Sequence, residues 1–155
     1  MTNVEHKVLF VCIHNSARSQ MAEAFLNKYG NGQYLAESAG LEPGTLNPNV
    51  VKVMQEIEID LSQKGTQGVF DLVQRGTFYH AVITVCDGAN AERCPIFPGV
   101  VKREAWSFED PSSLRGTPEE ILQHTRNVRD QIEQSVKDFI KQSSEVGYWI
   151  NNEAV

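Results

Sequence analysis

Two kinds of apolar pattern alternate along this chain. Four short segments, residues 7–12, 34–39, 80–85 and 100–106, are predicted to form β-strands. The third of them, HAVITV, is apolar or β-branched at nearly every position. That composition is typical of a central parallel strand that is covered on both faces.

Segments of helical periodicity separate these strands. The first places four apolar side chains on one helical face: Ala22, Phe25, Leu26 and Tyr29. Further helices are predicted at 50–57 and 69–74. The longest helix is predicted to begin after Thr117, because an N-cap threonine followed by Pro118 at the first helical position and Glu120 at the third is a typical helix start.

Strands that alternate with helices predict an α/β fold with a parallel sheet and helices on both of its faces. The 155 residues fit a single domain, 1–155, with a core at about 7–141 and a polar C-terminal extension at 142–155. In such sheets ligands bind beyond the carboxyl ends of the strands. Polar residues that directly follow a predicted strand are therefore the candidates for a functional site.

Charge and cysteine count exclude several classes of protein. The 14 Lys and Arg residues are outnumbered by 20 Asp and Glu, giving a net charge of -6, so no general basic field attracts nucleic acid or a membrane surface. The chain begins without a signal-peptide pattern and has no apolar run that spans a bilayer, so we expect a cytoplasmic protein. Its three cysteines suit reduced thiols better than a disulfide framework or tetrahedral zinc.

The turn between the first strand and the first helix carries the strongest chemical signal. Cys12 ends the strand, and five residues separate it from Arg18: Ile13, His14, Asn15, Ser16 and Ala17. Loop amides and the positive end of the following helix can hold a tetrahedral anion, and the same field favours a cysteine thiolate. Arg18 offers two donors to one anion, and Ser19 can donate to the sulfur. The alternative is a buried structural cysteine near an unrelated arginine, but the placement between strand and helix favours an oxyanion site with a nucleophile.

Two further cysteines border a polar stretch after the third strand. Cys86 follows that strand, and Cys94 lies beyond the segment DGANAER. Taken alone, Cys86 is better interpreted as a small core residue, and Cys94 as incidental. Two thiols near a third, reactive thiol favour a relay that supplies two electrons, which a reductase needs and a hydrolytic phosphatase does not.

The segment SFEDPSS follows the fourth predicted strand and carries a candidate acid. Asp110 either forms an ordinary turn before proline or protonates a leaving oxygen as a general acid. Glu109 takes that role if the loop register differs. Because the loop follows the carboxyl end of a strand, Asp110 is expected at the same rim as Cys12 and Cys86.

Three stretches of the chain resemble the thioredoxin-coupled arsenate reductases, which share the fold of the low-molecular-weight protein tyrosine phosphatases. These stretches are VCIHNSARSQMAEAFL, TVCDGANAERCPIFPGVVKREAWSFEDP and RNVRDQI, within a resemblance that covers roughly residues 7–141. The first is shared with the phosphatases. The second separates the two groups, because phosphatases of this fold generally lack the pair that Cys86 and Cys94 match. The resemblance implies a three-layer sandwich with a four-stranded parallel sheet.

The resemblance also implies a role for each candidate residue. Cys12 would attack arsenate held by Arg18 and the loop amides, while Asp110 protonates the departing oxygen. Cys86 and then Cys94 would pass on the disulfide, and thioredoxin would reduce it. Phosphate and sulfate are the expected competing anions, no cofactor is expected, and the protein is expected to be a monomer that binds neither nucleic acid nor a membrane.

Some members of that family hold a potassium ion near the loop. The ligands match Asn15, Glu23 and Ser38 of this chain, but a carboxylate expected near Gln67 is missing. We therefore predict no metal. Two rival functions remain open from the sequence: a phosphatase that uses Cys12, Arg18 and Asp110 alone, and a non-enzymatic oxyanion or redox sensor.

Overall fold

The computed structural model describes residues 6–86 and 92–150 of the chain. Four parallel strands form one sheet in the order β2-β1-β3-β4. They are β1 (His6–Cys12), β2 (Tyr34–Gly40), β3 (Ala81–Thr84) and β4 (Lys102–Ala105). The predicted α/β fold with a four-stranded parallel sheet is confirmed.

In the described part of the chain, four α-helices connect and cover the strands. They are α1 (Arg18–Tyr29), α2 (Pro48–Gln55), α3 (Val69–Gln74) and α4 (Pro118–Ser143), and a 3-10 turn spans Pro111–Ser113. The start of α4 is the one the sequence predicts: the Thr117 hydroxyl accepts from the Glu120 amide at 3.2 Å and Pro118 occupies the first turn. These contacts satisfy amides that have no partner inside the helix.

Alternate side chains of the central strands enter two separate core layers. On one face Val8, Phe10 and Ile83 pack in the layer that includes residues of α1, α2 and α4. On the other face Leu9 and Val82 pack in the layer that includes residues of α3. This period of two is the alternation expected of strands buried on both sides. The result is a three-layer arrangement with the sheet in the middle.

The C-terminal segment packs against the beginning of the sheet. The Trp149 indole stacks on the His6 ring with centroids 3.9 Å apart and donates to the Ser143 carbonyl at 3.0 Å. The Tyr148 hydroxyl donates to Glu104 at 2.6 Å. The C-terminal extension therefore contributes two aromatic rings that pack against the core. Among residues 6–86 and 92–150, no helix combines the length and apolarity needed to cross a membrane.

Candidate active site at the β1–α1 loop

The loop between β1 and α1 turns its carbonyl groups outward. Five successive carbonyls accept bonds from outside the loop: Cys12 from Leu41 N (3.0 Å), Ile13 from Glu42 N (2.7 Å), His14 from Gly44 N (2.9 Å), Asn15 from Gln20 Nε2 (3.1 Å) and Ser16 from Asn47 N (2.9 Å). In a trans peptide the N–H group points opposite to the carbonyl that precedes it. The amides of residues 13–17 therefore face the space that the loop encloses, where they can donate to an anion.

Two backbone features allow the loop to close this tightly. Asn15 has a φ of 55°, in the left-handed region that asparagine tolerates better than most residues. Gly40 pairs with Cys12 in the β1–β2 register and lies directly against the loop. A Cβ atom at Gly40 would come within 2.8 Å of the Asn15 nitrogen and of the His14 carbonyl carbon. Only glycine fits this contact without displacing the loop.

Hydrogen bonds fix the surroundings of the Cys12 sulfur. Cys12 is buried, and its Sγ lies 2.8 Å from the Ser19 hydroxyl oxygen. The Asn15 amide donates to Ser19 Oγ at 2.8 Å and to Ser38 Oγ at 2.9 Å. Because Ser19 Oγ already accepts from Asn15, its own hydrogen is available to the sulfur. Such a bond stabilises the thiolate, the nucleophilic form of cysteine.

Arg18 lies buried at the first turn of α1, and its Nε donor has no partner among the described residues. Its Nη1 donates to the Phe108 carbonyl at 3.1 Å, and its Nη2 lies 3.7 Å from Asp110 Oδ2. The buried Nε has no hydrogen-bond partner. Buried donors are normally satisfied, so an unpaired guanidinium N–H beside an anion loop indicates a place for an anion oxygen. No side chain caps the helix at Ala17, which leaves the amides of the first turn available as well.

Asp110 is the carboxylate that faces Arg18 across the loop. Its Oδ1 accepts from the Ser112 amide at 2.9 Å, which caps the 3-10 turn, and its Oδ2 points to Arg18. Its side chain is 28% exposed, so it can exchange a proton with solvent. The structure thus places Asp110 at the rim that holds Cys12, as the sequence predicts, while Glu109 is exposed.

The other two cysteines lie on opposite faces of the sheet. Cys86 is buried two residues after β3, in the core layer that also contains Cys12. Strand β3 neighbours β1, with Thr84 paired to Val11, so Cys12 at the end of β1 and Cys86 just after β3 lie at adjacent strand ends. Cys94 is buried in the other layer, with its Sγ 3.6 Å from the Pro95 carbonyl oxygen.

Burial raises the pKa of the Cys94 thiol to about 11, although Arg103 counteracts part of this effect. All three cysteines are in the reduced thiol form. Residues 87–91 of the stretch that joins Cys86 to Cys94 lie outside the described residues, so the predicted relay loop is described only from Glu92 onward.

The three residues that match potassium ligands lie together but carry hydrogen-bond donors on their oxygens. Glu23 Oε2 lies 2.5 Å from Lys64 Nζ. The Ser38 carbonyl accepts from the Gln67 side chain at 2.9 Å, and Asn15 Oδ1 accepts from the Gln67 amide at 3.1 Å. A cation needs the lone pairs that these donors occupy, so the arrangement does not fit a bound potassium ion. Within residues 6–86 and 92–150, no cluster of His, Cys, Asp and Glu is placed to hold a metal.

Several contributors to the site were missed by the sequence. Gln20 holds the Asn15 carbonyl, Lys64 pairs with Glu23, and Gly40 supports the loop from behind. Gly40 carried a usable signal, because it closes the second predicted strand. Nothing in the sequence indicated that Lys64 pairs with Glu23, because the two residues are 41 positions apart. The contact of Gln20 with Gly65 was equally hidden, because 45 positions separate them.

The chain is similar to known proteins over most of its length. Residues 7–146 match the family model of low molecular weight phosphotyrosine protein phosphatases. The chain is 42% identical over 133 residues to an arsenate reductase of Shouchella clausii, covering 85% of this chain and 93% of that protein. An arsenate reductase solved in a phosphate-binding state is similar in structure, with a TM-score of 0.71 and 31% identity over 88% of this chain and 97% of the other.

A thioredoxin-dependent arsenate reductase of Corynebacterium glutamicum is also similar, with a TM-score of 0.60 and 26% identity over 90% of this chain and 65% of that one. The sequence matches extend over nearly the whole domain, including the loop from Cys12 to Ser19. The chain therefore belongs to the low molecular weight phosphotyrosine protein phosphatase family and, within it, to the arsenate reductases.

Proposed function

We propose that this protein reduces arsenate to arsenite, with Cys12 as the nucleophile and residues 13–19 as the oxyanion cradle. The observation that favours a reductase over a phosphatase is the position of Cys86. It follows the strand next to the one that ends in Cys12, on the same side of the sheet. A phosphatase has no use for a second thiol there, whereas a reductase needs one to accept the bond from Cys12.

Arsenate binds in the loop through the amides of residues 13–17 and the guanidinium of Arg18. The unpartnered Nε of Arg18 supports this assignment, because an anion oxygen would satisfy it. The N-terminus of α1 adds its positive end to the same space. Phosphate and sulfate have the same tetrahedral shape and compete for the loop.

The first chemical step forms a bond between sulfur and arsenic. The Cys12 thiolate attacks arsenic, and one hydroxyl of the arsenate leaves as water with a proton supplied by Asp110. Arsenic remains pentavalent in this covalent adduct. Arg18 and the loop amides hold the remaining oxygens, and Ser19 keeps the sulfur oriented before the attack.

The second step transfers two electrons to arsenic. The Cys86 thiolate attacks Cys12 Sγ and forms a disulfide, while the electron pair of the sulfur–arsenic bond moves to arsenic, which leaves as arsenite. Cys94 then attacks Cys86, and Cys12 is released as a thiolate. The disulfide between Cys86 and Cys94 stores the oxidation until an external dithiol reduces it.

We propose thioredoxin as that dithiol, because a structurally similar reductase is thioredoxin-dependent. A disulfide between Cys86 and Cys94 that must be reduced again at every turnover fits a cytoplasmic location. A monomer suffices for this chemistry, since one chain supplies the nucleophile, the cradle, the acid and both relay thiols.

Coupled turnover tests the proposal. Oxidation of NADPH is followed with thioredoxin and thioredoxin reductase, with and without arsenate, beside hydrolysis of an aryl phosphate by the same protein. We expect arsenate-dependent oxidation that the substitution Cys86→Ser abolishes. Aryl phosphate hydrolysis that Cys86→Ser leaves unchanged, without any arsenate-dependent oxidation, would establish a phosphatase instead.

A further inference from the structure

We infer that Lys64 is a positioning residue of the active site: its ammonium group serves as an internal cation that orders the Cys12 loop, so the enzyme needs no monovalent metal ion. Lys64 lies outside the loop, and its Nζ contacts Glu23 Oε2 at 2.5 Å. The inference deepens the proposed function and rests on it. Its tests below use anion binding and thiol reactivity, so they are decided separately from arsenate turnover.

A directed chain of hydrogen bonds connects Glu23 to Cys12. The Glu23 carboxylate can only accept, so Ser38 donates its single hydroxyl hydrogen to Glu23 Oε1 at 3.1 Å. Ser38 Oγ must then accept from Asn15, at 2.9 Å, and the second hydrogen of the Asn15 amide goes to Ser19, at 2.8 Å. The remaining donor in the chain, the Ser19 hydroxyl, is thereby directed at Cys12 Sγ. The polarity of the whole chain depends on an ionised Glu23.

An ionised carboxylate at this place needs a positive partner. The Glu23 side chain is 10% exposed, and burial of an unpaired charge is strongly unfavourable. Its negative charge also opposes formation of the Cys12 thiolate and binding of an anion in the loop. The Lys64 ammonium cancels that charge at 2.5 Å, while its own side chain stays 41% exposed and well solvated.

The segment that carries Lys64 is itself attached to the loop. The Gly65 carbonyl accepts from Gln20 at 2.9 Å, the Thr66 hydroxyl donates to the Gly44 carbonyl at 2.6 Å, and the Gly40 amide donates to the Gln67 carbonyl at 2.9 Å. Gln67 also covers the Ser38 carbonyl with its side-chain amide. Protein donors thus occupy the oxygens around Glu23, and a metal ion would have to displace them.

Potassium dependence tests the inference. Inorganic phosphate is titrated calorimetrically into the reduced protein at constant ionic strength, in tetramethylammonium chloride and in potassium chloride. The wild-type affinity should be equal in the two salts. The variant Lys64→Met should bind phosphate about tenfold more weakly in tetramethylammonium chloride and recover in potassium or methylammonium chloride, because a small cation can then reach Glu23.

The matched control is Lys7→Met, which removes the lysine that contacts Glu37 at 3.4 Å on a different part of the surface. It should leave phosphate affinity unchanged in both salts. Lys64→Arg, which keeps the charge, should behave as the wild type does. A second readout is the pH dependence of Cys12 alkylation, followed by peptide mass spectrometry, whose midpoint should move to higher pH in Lys64→Met alone.

Two results would overturn the inference. One is a wild-type phosphate affinity that rises in potassium chloride, which would mean that a metal ion orders the loop. The other is a folded Lys64→Met protein whose affinity and alkylation profile equal those of the wild type in both salts. If Lys64→Met does not fold, the comparison of wild type and Lys64→Arg in the two salts still decides, since any potassium dependence of either contradicts the internal cation.

Discussion

Cys86 and Cys94 are buried on opposite faces of the same sheet. Cys86 shares a core layer with Cys12, and Cys94 packs in the layer that contains Leu9 and Tyr79. A disulfide requires Cα atoms within about 7 Å and Cβ atoms that point at each other. We therefore expect Cys94 to leave its apolar surroundings before it attacks Cys86, so that the final disulfide forms on a rearranged segment that a reductant can reach.

The reactivity of Cys94 should report this rearrangement. Burial raises its pKa to about 11, so at pH 8 the thiol of the folded reduced protein is almost entirely protonated and a poor nucleophile. In Cys12→Ser protein, alkylation of Cys94 should be slow at pH 8, increase as the pH approaches 11, and become fast when the protein is unfolded. Rapid alkylation of Cys94 at pH 8 in the folded protein would show that the thiol is already accessible.

Ser19 should contribute to catalysis through its hydrogen bond to the Cys12 sulfur. Removal of its hydroxyl in Ser19→Ala takes a hydrogen bond from a charged acceptor, so kcat for arsenite formation should fall roughly ten- to a hundredfold. Ser144→Ala is the control, since that exposed hydroxyl donates to the Ile140 carbonyl in helix α4 and lies outside the site. Equal kcat values for the two variants would remove Ser19 from the site.

Asp110 should act in the first chemical step rather than in binding. In Asp110→Asn the amide cannot deliver a proton, so kcat for arsenate reduction should fall by about a hundred- to ten-thousandfold. Phosphate affinity should stay the same or increase, because Arg18 loses a negative neighbour at 3.7 Å. The expected pattern is a much lower kcat with phosphate affinity that is not reduced. A loss of phosphate affinity with a normal kcat would make Asp110 a binding residue instead.

Gly40 should tolerate no side chain. The Cβ of Gly40→Ala would lie 2.8 Å from loop backbone, so the loop must shift, with a loss of about 1–3 kcal/mol in the free energy of unfolding and weaker phosphate binding. Gly65→Ala is the matched control, because a Cβ there meets no atom within 4 Å. Denaturant unfolding and phosphate titration measure both effects. A Gly40→Ala protein as stable as Gly65→Ala would show that the loop has room.

Local signals explain why so much of the fold could be predicted. The strand at 7–12, the helix that follows it and the Thr117 cap all depend on residues a few positions apart, and the structure confirms them in β1, α1 and α4. The predicted strands at 80–85 and 100–106 are longer than β3 and β4. A strand requires a hydrogen-bonded neighbour, and the ladder between β3 and β4 covers only four residues of each.

Contacts between distant segments explain what the sequence did not reveal. The pairing of Lys64 with Glu23 and the approach of Gly40 to the loop exist only after the sheet has formed. The same holds for the layer in which Cys94 is buried, since Cys94 packs there with residues distant in sequence such as Leu9. The candidate site residues could thus be identified from their spacing in the sequence. The contacts with distant segments that hold them in place could not.

A single turnover without reductant tests the thiol relay most directly. The reduced protein is mixed with excess arsenate, arsenite is quantified, and the disulfides are identified by peptide mass spectrometry. We expect one arsenite per protein and a bond between Cys86 and Cys94 in the wild type. Cys94→Ser should also release one arsenite but retain a bond between Cys12 and Cys86, and Cys86→Ser should release almost none. Arsenite released in equal amount by Cys86→Ser, or three thiols that remain reduced in the wild type, would contradict the relay.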